Sequence, residues 1–405
     1  MCDVFISHST SDKDYNQIEE IVSVLNQNGI TTWLAEYQIA AGDNWHDNII
    51  DSLNEYEWFI VVLSEASVCS EWVKAEVRWA LENKRGKIIP IIISECEIYR
   101  CDLRLQDIQY INLKKENIIK GIPKLLSLFD PDKPIALIDQ SKRQNMWSTK
   151  PTINHGYKSC INSIKKDCFI YANMNNRFSQ DNLCGFDILI FPTPFGIKID
   201  DDEYIAIHDW VESGKSLLVF GNYLMELHHF MNFNNLIRKF NFKMCCDLLM
   251  PSNVDCMSQA DINNICGNMQ HHVFIRDSWV VTSPIPNIED HFILNGVEKI
   301  AFQSSCSIAP QPGNDLLVRT SEEICVMNAN GLENENGNIN LILDYTIAKN
   351  EESLFMIAKE YGKGRVVGIG SYKIFLNEFV DDTSLDNKTL FKNIILWLVR
   401  HNGVF

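Results

Sequence analysis

The first 128 residues alternate between short apolar runs rich in Val and Ile and longer segments with helical periodicity. The apolar runs include DVFIS, WFIVVLS and KIIPIIIS, and amphipathic stretches such as YNQIEEIVSVLNQNG lie between them. Strands this uniformly apolar are typical of parallel sheets buried on both faces, whose strands are connected by crossover helices. The pattern therefore predicts a small doubly wound α/β domain.

A second series of the same kind follows the segment DPDKP at 130–134, whose two prolines and three charges interrupt the first pattern. A length of 405 residues also favours more than one domain. Residues 250–345 are richer in Asn and Ser and read as a mostly β insertion. We therefore predict domains at 1–128 and 135–405, joined by a linker at 129–134, with the second domain α/β and carrying this β-rich insertion.

Composition limits the possible partners. No run approaches the roughly 18 apolar residues of a membrane span, and the start MCDVFISHST lacks the basic and then apolar regions of a signal peptide. A formal charge of −17 opposes association with nucleic acids and anionic membranes. We expect a cytoplasmic protein with neither partner.

Cysteine and histidine usage argues against a disulfide framework or a metal site. The thirteen cysteines are odd in number and form no CxxC pair, which favours reduced, scattered thiols. Adjacent pairs, such as Cys245 with Cys246 and the histidines at 228–229 and 271–272, point in different directions and cannot easily share an ion. We therefore predict no metal site.

The stretch SEWVKAEVRWAL at 70–81 places a carboxylate beside an apolar helical stripe. Glu76 follows Trp72 by four residues, so both side chains lie on one face of the predicted helix. In one interpretation Glu76 lies on the solvated side and pairs with the neighbourhood of Arg78 or with Lys74. In the other it lies at the border of the stripe, where partial desolvation raises its pKa and allows it to bind a cation-like centre.

Three stretches resemble the Toll/interleukin-1 receptor (TIR) domain in its bacterial form. They are DVFISHSTSDKD at 3–14, TTWLAEYQIAAGDNWHDNIIDSL at 31–53 and FIVVLSEASVCSEWVKAEV at 59–77. The family's S-x-W-x-x-x-E signature falls on Ser70, Trp72 and Glu76. The resemblance implies a flavodoxin-like fold and aligns Glu76 with the glutamate that TIR enzymes use to cleave NAD+ between nicotinamide and ribose.

The rest of the implied NAD+ site falls on strand ends, where open α/β sheets bind ligands. The candidate cofactor-binding residues, besides Trp72, are Ser7 and His8 at the end of the first strand and Trp33 at the end of the second, whose indole could stack on a base. The segment AAGDNW at 40–45, with Gly42 and Asp43, resembles the loop that covers the pocket and joins neighbouring TIR domains. The resemblance therefore implies a homo-oligomer.

This sequence departs from many bacterial TIR domains at two positions. Ala35 stands where an acidic residue is frequent, and Val73 stands where Cys is frequent. Neither change removes Glu76, so we expect NAD+ turnover, with no cofactor beyond NAD+ as substrate.

Residues 135–400 contain the stretches ALIDQSKRQNMW, FDILIFPTPFG, DDEYIAIHDWVESGKSLLVFGNY, GKGRVVGIGSYKIFLNE and DNKTLFKNIILWL. These stretches resemble the class I glutamine amidotransferase-like fold, particularly its non-catalytic branch. Those enzymes hold a nucleophilic Cys in a sharp G-x-C-x-G turn, but here the turn after SLLVF is Gly221, Asn222 and Tyr223. Glutamine hydrolysis is not expected without the thiol. A candidate ligand or partner site remains at the predicted strand ends, comprising Asp139, Ser141, Thr193 and Asn222; the alternative is an oligomerisation platform.

Together these resemblances imply an NAD+ hydrolase that yields nicotinamide and either ADP-ribose or a cyclic ADP-ribose. They further imply an antiphage effector, activated by assembly or by an unknown ligand or protein that the second domain senses. The principal alternative is a non-enzymatic TIR scaffold for signalling complexes. A virulence TIR protein that enters a host is a third interpretation, weakened by the absent secretion signal.

Overall fold

The chain divides into two compact units, the first comprising Met1–Ile135 with Cys168–Tyr171 and the second comprising the remainder. The structure, a computed structural model, describes residues 3–11, 15–34, 45–142, 156–173, 176–194, 197–223, 232–251, 279–286, 290–311, 313, 316–321, 324–333, 339–348 and 354–399. The predicted loop residues Gly42 and Asp43 lie outside the described residues. No described helix is long and apolar enough to cross a lipid bilayer.

The first unit contains a five-stranded parallel sheet with the strand order β2-β1-β3-β4-β5. Its strands are β1 (Asp3–Ser7), β2 (Thr31–Trp33), β3 (Trp58–Leu63), β4 (Ile88–Ile92) and β5 (Ile111–Asn112). Its helices are α1 (Tyr15–Gln27), α2 (Trp45–Glu55), α3 (Glu71–Asn83) and α4 (Ile118–Ser127). The predicted α/β domain is therefore confirmed.

The strand order reverses at β1, because the chain first adds β2 on one side of β1 and then β3 on the other. Such a reversal opens a crevice at the carboxyl ends of the central strands. Ser7 ends β1 and is paired in register with Val61 of β3. The carboxyl end of β1 is therefore the part of this sheet where a ligand site is expected.

A mixed eight-stranded sheet, most of whose strands belong to the second unit, has the order β13-β16-β19-β20-β9-β8-β6-β7. The strands are β6 (Ile135–Asp139), β7 (Phe169–Asn173), β8 (Ile188–Phe191), β9 (Ser216–Phe220), β13 (Pro284–Pro286), β16 (Leu316–Thr320), β19 (Leu354–Tyr361) and β20 (Gly364–Ile369). β6, β8, β9 and β20 run parallel. β13, β16 and β19 extend the sheet in antiparallel fashion beyond β20.

Further strands of the second unit form three smaller antiparallel sheets, with the orders β10-β15, β11-β17-β18 and β12-β14. They are β10 (Phe242–Met244), β11 (Asp247–Pro251), β12 (Val280–Thr282), β14 (Ile300–Phe302), β15 (Ile308–Pro310), β17 (Ile324–Glu333) and β18 (Ile339–Ala348). The described part of 250–345 is thus dominated by strands, as the sequence pattern predicts.

Helices of the second unit are α5 (Lys158–Ile164), α6 (Gln180–Leu183), α7 (Asp201–Glu212), α8 (Phe233–Ile237), α9 (Asn377–Val380) and α10 (Asn387–Val399). The start of α7 shows why this sequence forms a helix. Its first turn carries Asp201, Asp202 and Glu203, and negative side chains there are favourable because the helix dipole places partial positive charge at the amino end. The specific resemblance to the amidotransferase-like fold stays a prediction.

Candidate active site

Helix α3 carries the central residue of the predicted site. Ser70 caps its start, because the Ser70 side chain accepts a hydrogen bond from the amide of Val73 at 3.4 Å. The buried face of α3 consists of Val73, Glu76, Val77 and Ala80. Three of these four residues are apolar, so Glu76 occupies a position that normally packs in a core.

Glu76 is 7% exposed and contacts the end of β1. The Ser7 hydroxyl, itself 2% exposed, donates a hydrogen bond to Glu76 Oε2 at 2.5 Å. The alternative pairing with Lys74 is wrong for this structure, because Lys74 Nζ binds Glu71 Oε1 at 2.8 Å. Glu76 therefore lies inside the domain, beyond the stripe border that the sequence pattern indicates.

Burial determines the electrostatics of this carboxylate. It raises the pKa of Glu76 from 4.5 to about 7, and the Ser7 hydroxyl and then the Trp72 indole limit the rise. Both of the groups that lower this pKa are uncharged. A carboxyl group with a pKa near 7 exchanges its proton in the physiological range, which is typical of catalytic carboxylates.

The other predicted NAD+ residues of the first unit take different places. Trp72 is half-buried beside Glu76, and His8 is half-buried with its Nδ1 3.2 Å from the carbonyl oxygen of Ser9. Trp33 is 4% exposed and stacks on Phe5, with ring centroids 4.6 Å apart. The structure thus brings Ser7, Trp72 and Glu76 together, whereas a base could stack on Trp33 only if that indole became exposed.

The four candidate residues of the second unit all make local hydrogen bonds. Asp139 is fully buried and accepts hydrogen bonds from the Ser141 hydroxyl at 2.7 Å and the Asn173 side-chain amide at 3.1 Å. Thr193 donates to the carbonyl oxygen of Phe220 at 2.6 Å, and the Asn222 side chain accepts from the amide of Tyr223 at 2.8 Å. These bonds shape the strand ends, and ligand binding there stays a prediction.

A buried ion pair beside these residues was missed by the sequence analysis. Lys142 Nζ lies 2.7 Å from Glu203 Oε1, with side-chain exposures of 4% and 2%. The available signal is the acidic start of α7, which by itself indicates only a favourable helix terminus. Nothing in the local pattern indicates that Lys142, 61 residues earlier, is the partner of Glu203.

One group of possible metal ligands occurs among the described residues, on α7, where ligand atoms of His208, Asp209 and Glu212 lie within 4.8 Å of one another. The His208 Nε2 atom already binds the Tyr361 hydroxyl, and both carboxylates are exposed. Exposed acidic groups of this kind are common on protein surfaces without an ion.

Comparison with known proteins identifies the first unit. Residues 4–126 match the family model of the TIR domain. The chain is 28% identical over 131 residues to the 2' cyclic ADP-D-ribose synthase BtTIR of Bacteroides thetaiotaomicron, covering 31% of this chain and 45% of that protein. It is 33% identical over 75 residues to the NAD(+) hydrolase TcpA of Theionarchaea archaeon (strain DG-70-1), covering 18% and 22% respectively.

The N-terminal unit is therefore a TIR domain, with relatives named as NAD+ hydrolases and cyclic ADP-ribose synthases. The chain spans less than half the length of these two relatives. Among solved structures, the mmIFT52 N-terminal domain aligns with 67% of this chain and 100% of its own length, at 14% identity and a TM-score of 0.45. A TM-score this low does not establish the fold of the second unit.

Proposed function

We propose that the TIR unit cleaves NAD+ between nicotinamide and ribose, with Glu76 as the catalytic carboxylate. The observation that carries this proposal is a buried glutamate with a pKa of about 7 next to the carboxyl end of β1. That position adjoins the reversal of strand order, where open α/β sheets bind ligands. The names of the TIR relatives support the same reaction class.

The chemistry suits a single carboxylate. When the bond between the ribose C1′ and the nicotinamide nitrogen breaks, both bonding electrons leave with nicotinamide, which becomes neutral. Positive charge then develops on the ribose, and an anion fixed nearby stabilises it more strongly in a buried site than in water. Water adds to C1′ and releases a proton to give ADP-ribose, whereas attack by a hydroxyl of the same molecule gives a cyclic product.

We further propose that assembly controls this activity. A TIR domain whose pocket is completed by a neighbouring copy turns over only when its copies meet, because only the competent fraction binds substrate. The second unit would then promote assembly on sensing a ligand or protein, and an antiphage effector is the role that this arrangement suits. The bacterial and archaeal TIR relatives support the enzymatic part of this proposal.

The test compares two glutamates of α3. Purified full-length protein, Glu76→Gln and Glu71→Gln are incubated with NAD+ at high protein concentration with a crowding agent, and products are separated by chromatography. Glu71 is the matched control, because it lies on the same helix but is 81% exposed and pairs with Lys74. We expect Glu76→Gln to lower nicotinamide release about 10²-fold or more and Glu71→Gln to leave it unchanged.

Two results would overturn the proposal. Cleavage by Glu76→Gln at the wild-type rate would remove Glu76 from the mechanism. No cleavage by any variant, even after addition of infected-cell extract, would favour the scaffold function. When cleavage occurs, the linear or cyclic form of the co-product identifies the attacking group.

A further inference from the structure

Ser7 and Glu76 are two polar side chains at core-facing positions of opposed elements. Side chains two residues apart on a strand lie on the same face, so Ser7 shares its face with Phe5. Phe5 belongs to the same core cluster as Val73 and Val77 of α3. A hydroxyl and a carboxyl group at such positions are costly to bury unless they are hydrogen-bonded, and each provides the other's partner.

The geometry is fixed from both sides. The backbone of Ser7 is held in the sheet opposite Val61, and Glu76 lies in the second turn of a helix whose start is capped. A hydroxyl that donates to a carboxylate oxygen at 2.5 Å forms a charge-assisted bond, which is stronger when the carboxyl group is ionised. The contact therefore opposes the effect of burial, which favours the protonated form.

We propose that Ser7 is a positioning residue that holds Glu76 in one orientation and favours its ionised form. This inference rests on the proposed function, in which the ionised carboxylate stabilises positive charge on the ribose. Ser7 then sets the lower limit of the pH range in which the enzyme works. Ser7 acts through Glu76 and need not touch the substrate.

Among the described residues, few other titratable groups face Glu76. β3 contributes the apolar Phe59, Val61 and Leu63 to this core. Cys101 belongs to the same cluster, and burial raises its pKa to about 11, so it stays neutral below pH 9. On β1, Asp3 lies at the opposite end of the strand and His8 follows Ser7.

On α3 itself, the charged neighbours of Glu76 are directed elsewhere. Lys74 is held by Glu71, and Arg78 is exposed. Because the His8 imidazole adjoins Ser7 in the chain, the measurement must observe the Glu76 carboxyl group directly.

The test therefore uses two readouts on the full chain. The first is the pH dependence of nicotinamide release between pH 5 and 9. The second is the carbon NMR titration of protein labelled at the glutamate carboxyl carbons, with the Glu76 signal assigned by its loss in Glu76→Gln. The variants are Ser7→Ala, Ser7→Cys, Ser7→Thr and the control Ser67→Ala.

We expect Ser7→Ala to raise the midpoint of the Glu76 titration by about one pH unit. The acid limb of the activity profile moves with it, so that nicotinamide release falls about tenfold at pH 6 and much less at pH 9. Ser7→Cys shifts the midpoint in the same direction by a smaller amount, because a thiol is a weaker donor. Ser7→Thr leaves the midpoint of the Glu76 titration at its wild-type value, because threonine keeps the hydroxyl.

Ser67 is a matched control because it is also a fully buried hydroxyl of the same unit, and it binds the backbone of Ser64. Ser67→Ala lowers stability without moving either midpoint. An unchanged Glu76 titration in both Ser7→Ala and Ser7→Cys would overturn the inference, as would an equal loss of rate at every pH. If wild-type protein does not cleave NAD+ even after addition of infected-cell extract, the proposed function fails, and the NMR titration still decides the role of Ser7.

Discussion

Two buried glutamates, Glu76 in the first unit and Glu203 in the second, have pKa values that are shifted in opposite directions. Both lie on helices that follow parallel strands, with exposures of 7% and 2%. Burial raises the pKa of Glu76 to about 7. Burial also opposes ionisation of Glu203, but Lys142 and the amides of Phe178 and Asp200 outweigh it and leave the pKa below its ordinary value.

The difference lies in the donors that each carboxylate meets. Glu203 receives an ammonium group at 2.7 Å and backbone amides at 3.0 and 3.1 Å, so it ties three chain segments together as a stable anion. Glu76 receives a hydroxyl and an indole, which stabilise the anion much less. Burial alone thus does not determine whether a carboxylate is structural or reactive, because the charge of its partners decides.

The largest expected effect concerns the partner of Glu203. Lys142→Met leaves a buried carboxylate without its cation and should destabilise the second unit by about 3–5 kcal/mol, measured by urea denaturation. The matched control is Lys215→Met, because the Lys215–Asp187 pair is 34% and 26% exposed and should contribute about 1 kcal/mol or less. Similar losses for both variants would contradict the contrast between the two pairs.

An effect of intermediate size concerns the stability of the first unit. Because the pKa of Glu76 rises from 4.5 to about 7 on folding, the native state retains a proton that the unfolded chain releases. Stability should therefore be full below about pH 4.5 and fall by about 3 kcal/mol as the pH rises through about 7. Glu76→Gln should remove this dependence and be more stable than wild type at pH 8.

Urea denaturation of both proteins at pH 5 and pH 8 measures this effect. A wild-type first unit that is equally stable at the two pH values would show that folding does not raise the pKa of Glu76. Greater stability of an inactive Glu76→Gln variant would mean that the site is maintained at a cost to the fold, as is common for catalytic groups.

The smallest expected effect concerns Ser70, which shares the sequence signature with Glu76. Its side chain caps α3, so Ser70→Ala should lower the free energy of unfolding by about 1 kcal/mol. Nicotinamide release should persist at temperatures where the variant is folded. A loss of cleavage as large as that of Glu76→Gln, in folded protein, would place Ser70 in the site itself.

The elements of the first unit could be predicted from the sequence because their signals are local. Buried parallel strands and amphipathic helices repeat within a few residues, and β1, β3, β4 and α3 follow that pattern. The long strand β19 of the second unit escaped prediction, although it packs between β16 and β20. It forms a tight antiparallel hairpin with β20 across Gly362 and Lys363. Its other neighbour, β16, comes from an earlier part of the chain, and no local signal specifies that pairing.

The sequence by itself determined that Glu76 follows Trp72 on one helical face, because helical periodicity depends only on spacing. It also placed Ser7 at the end of the first strand. Only the tertiary structure decided that Ser7 and Glu76, 69 positions apart, share a hydrogen bond. It also decided that Glu76 is buried while Lys74 binds Glu71. The ionisation of a carboxyl group depends on solvent exclusion and on donors from other elements, and the folded chain alone brings these together.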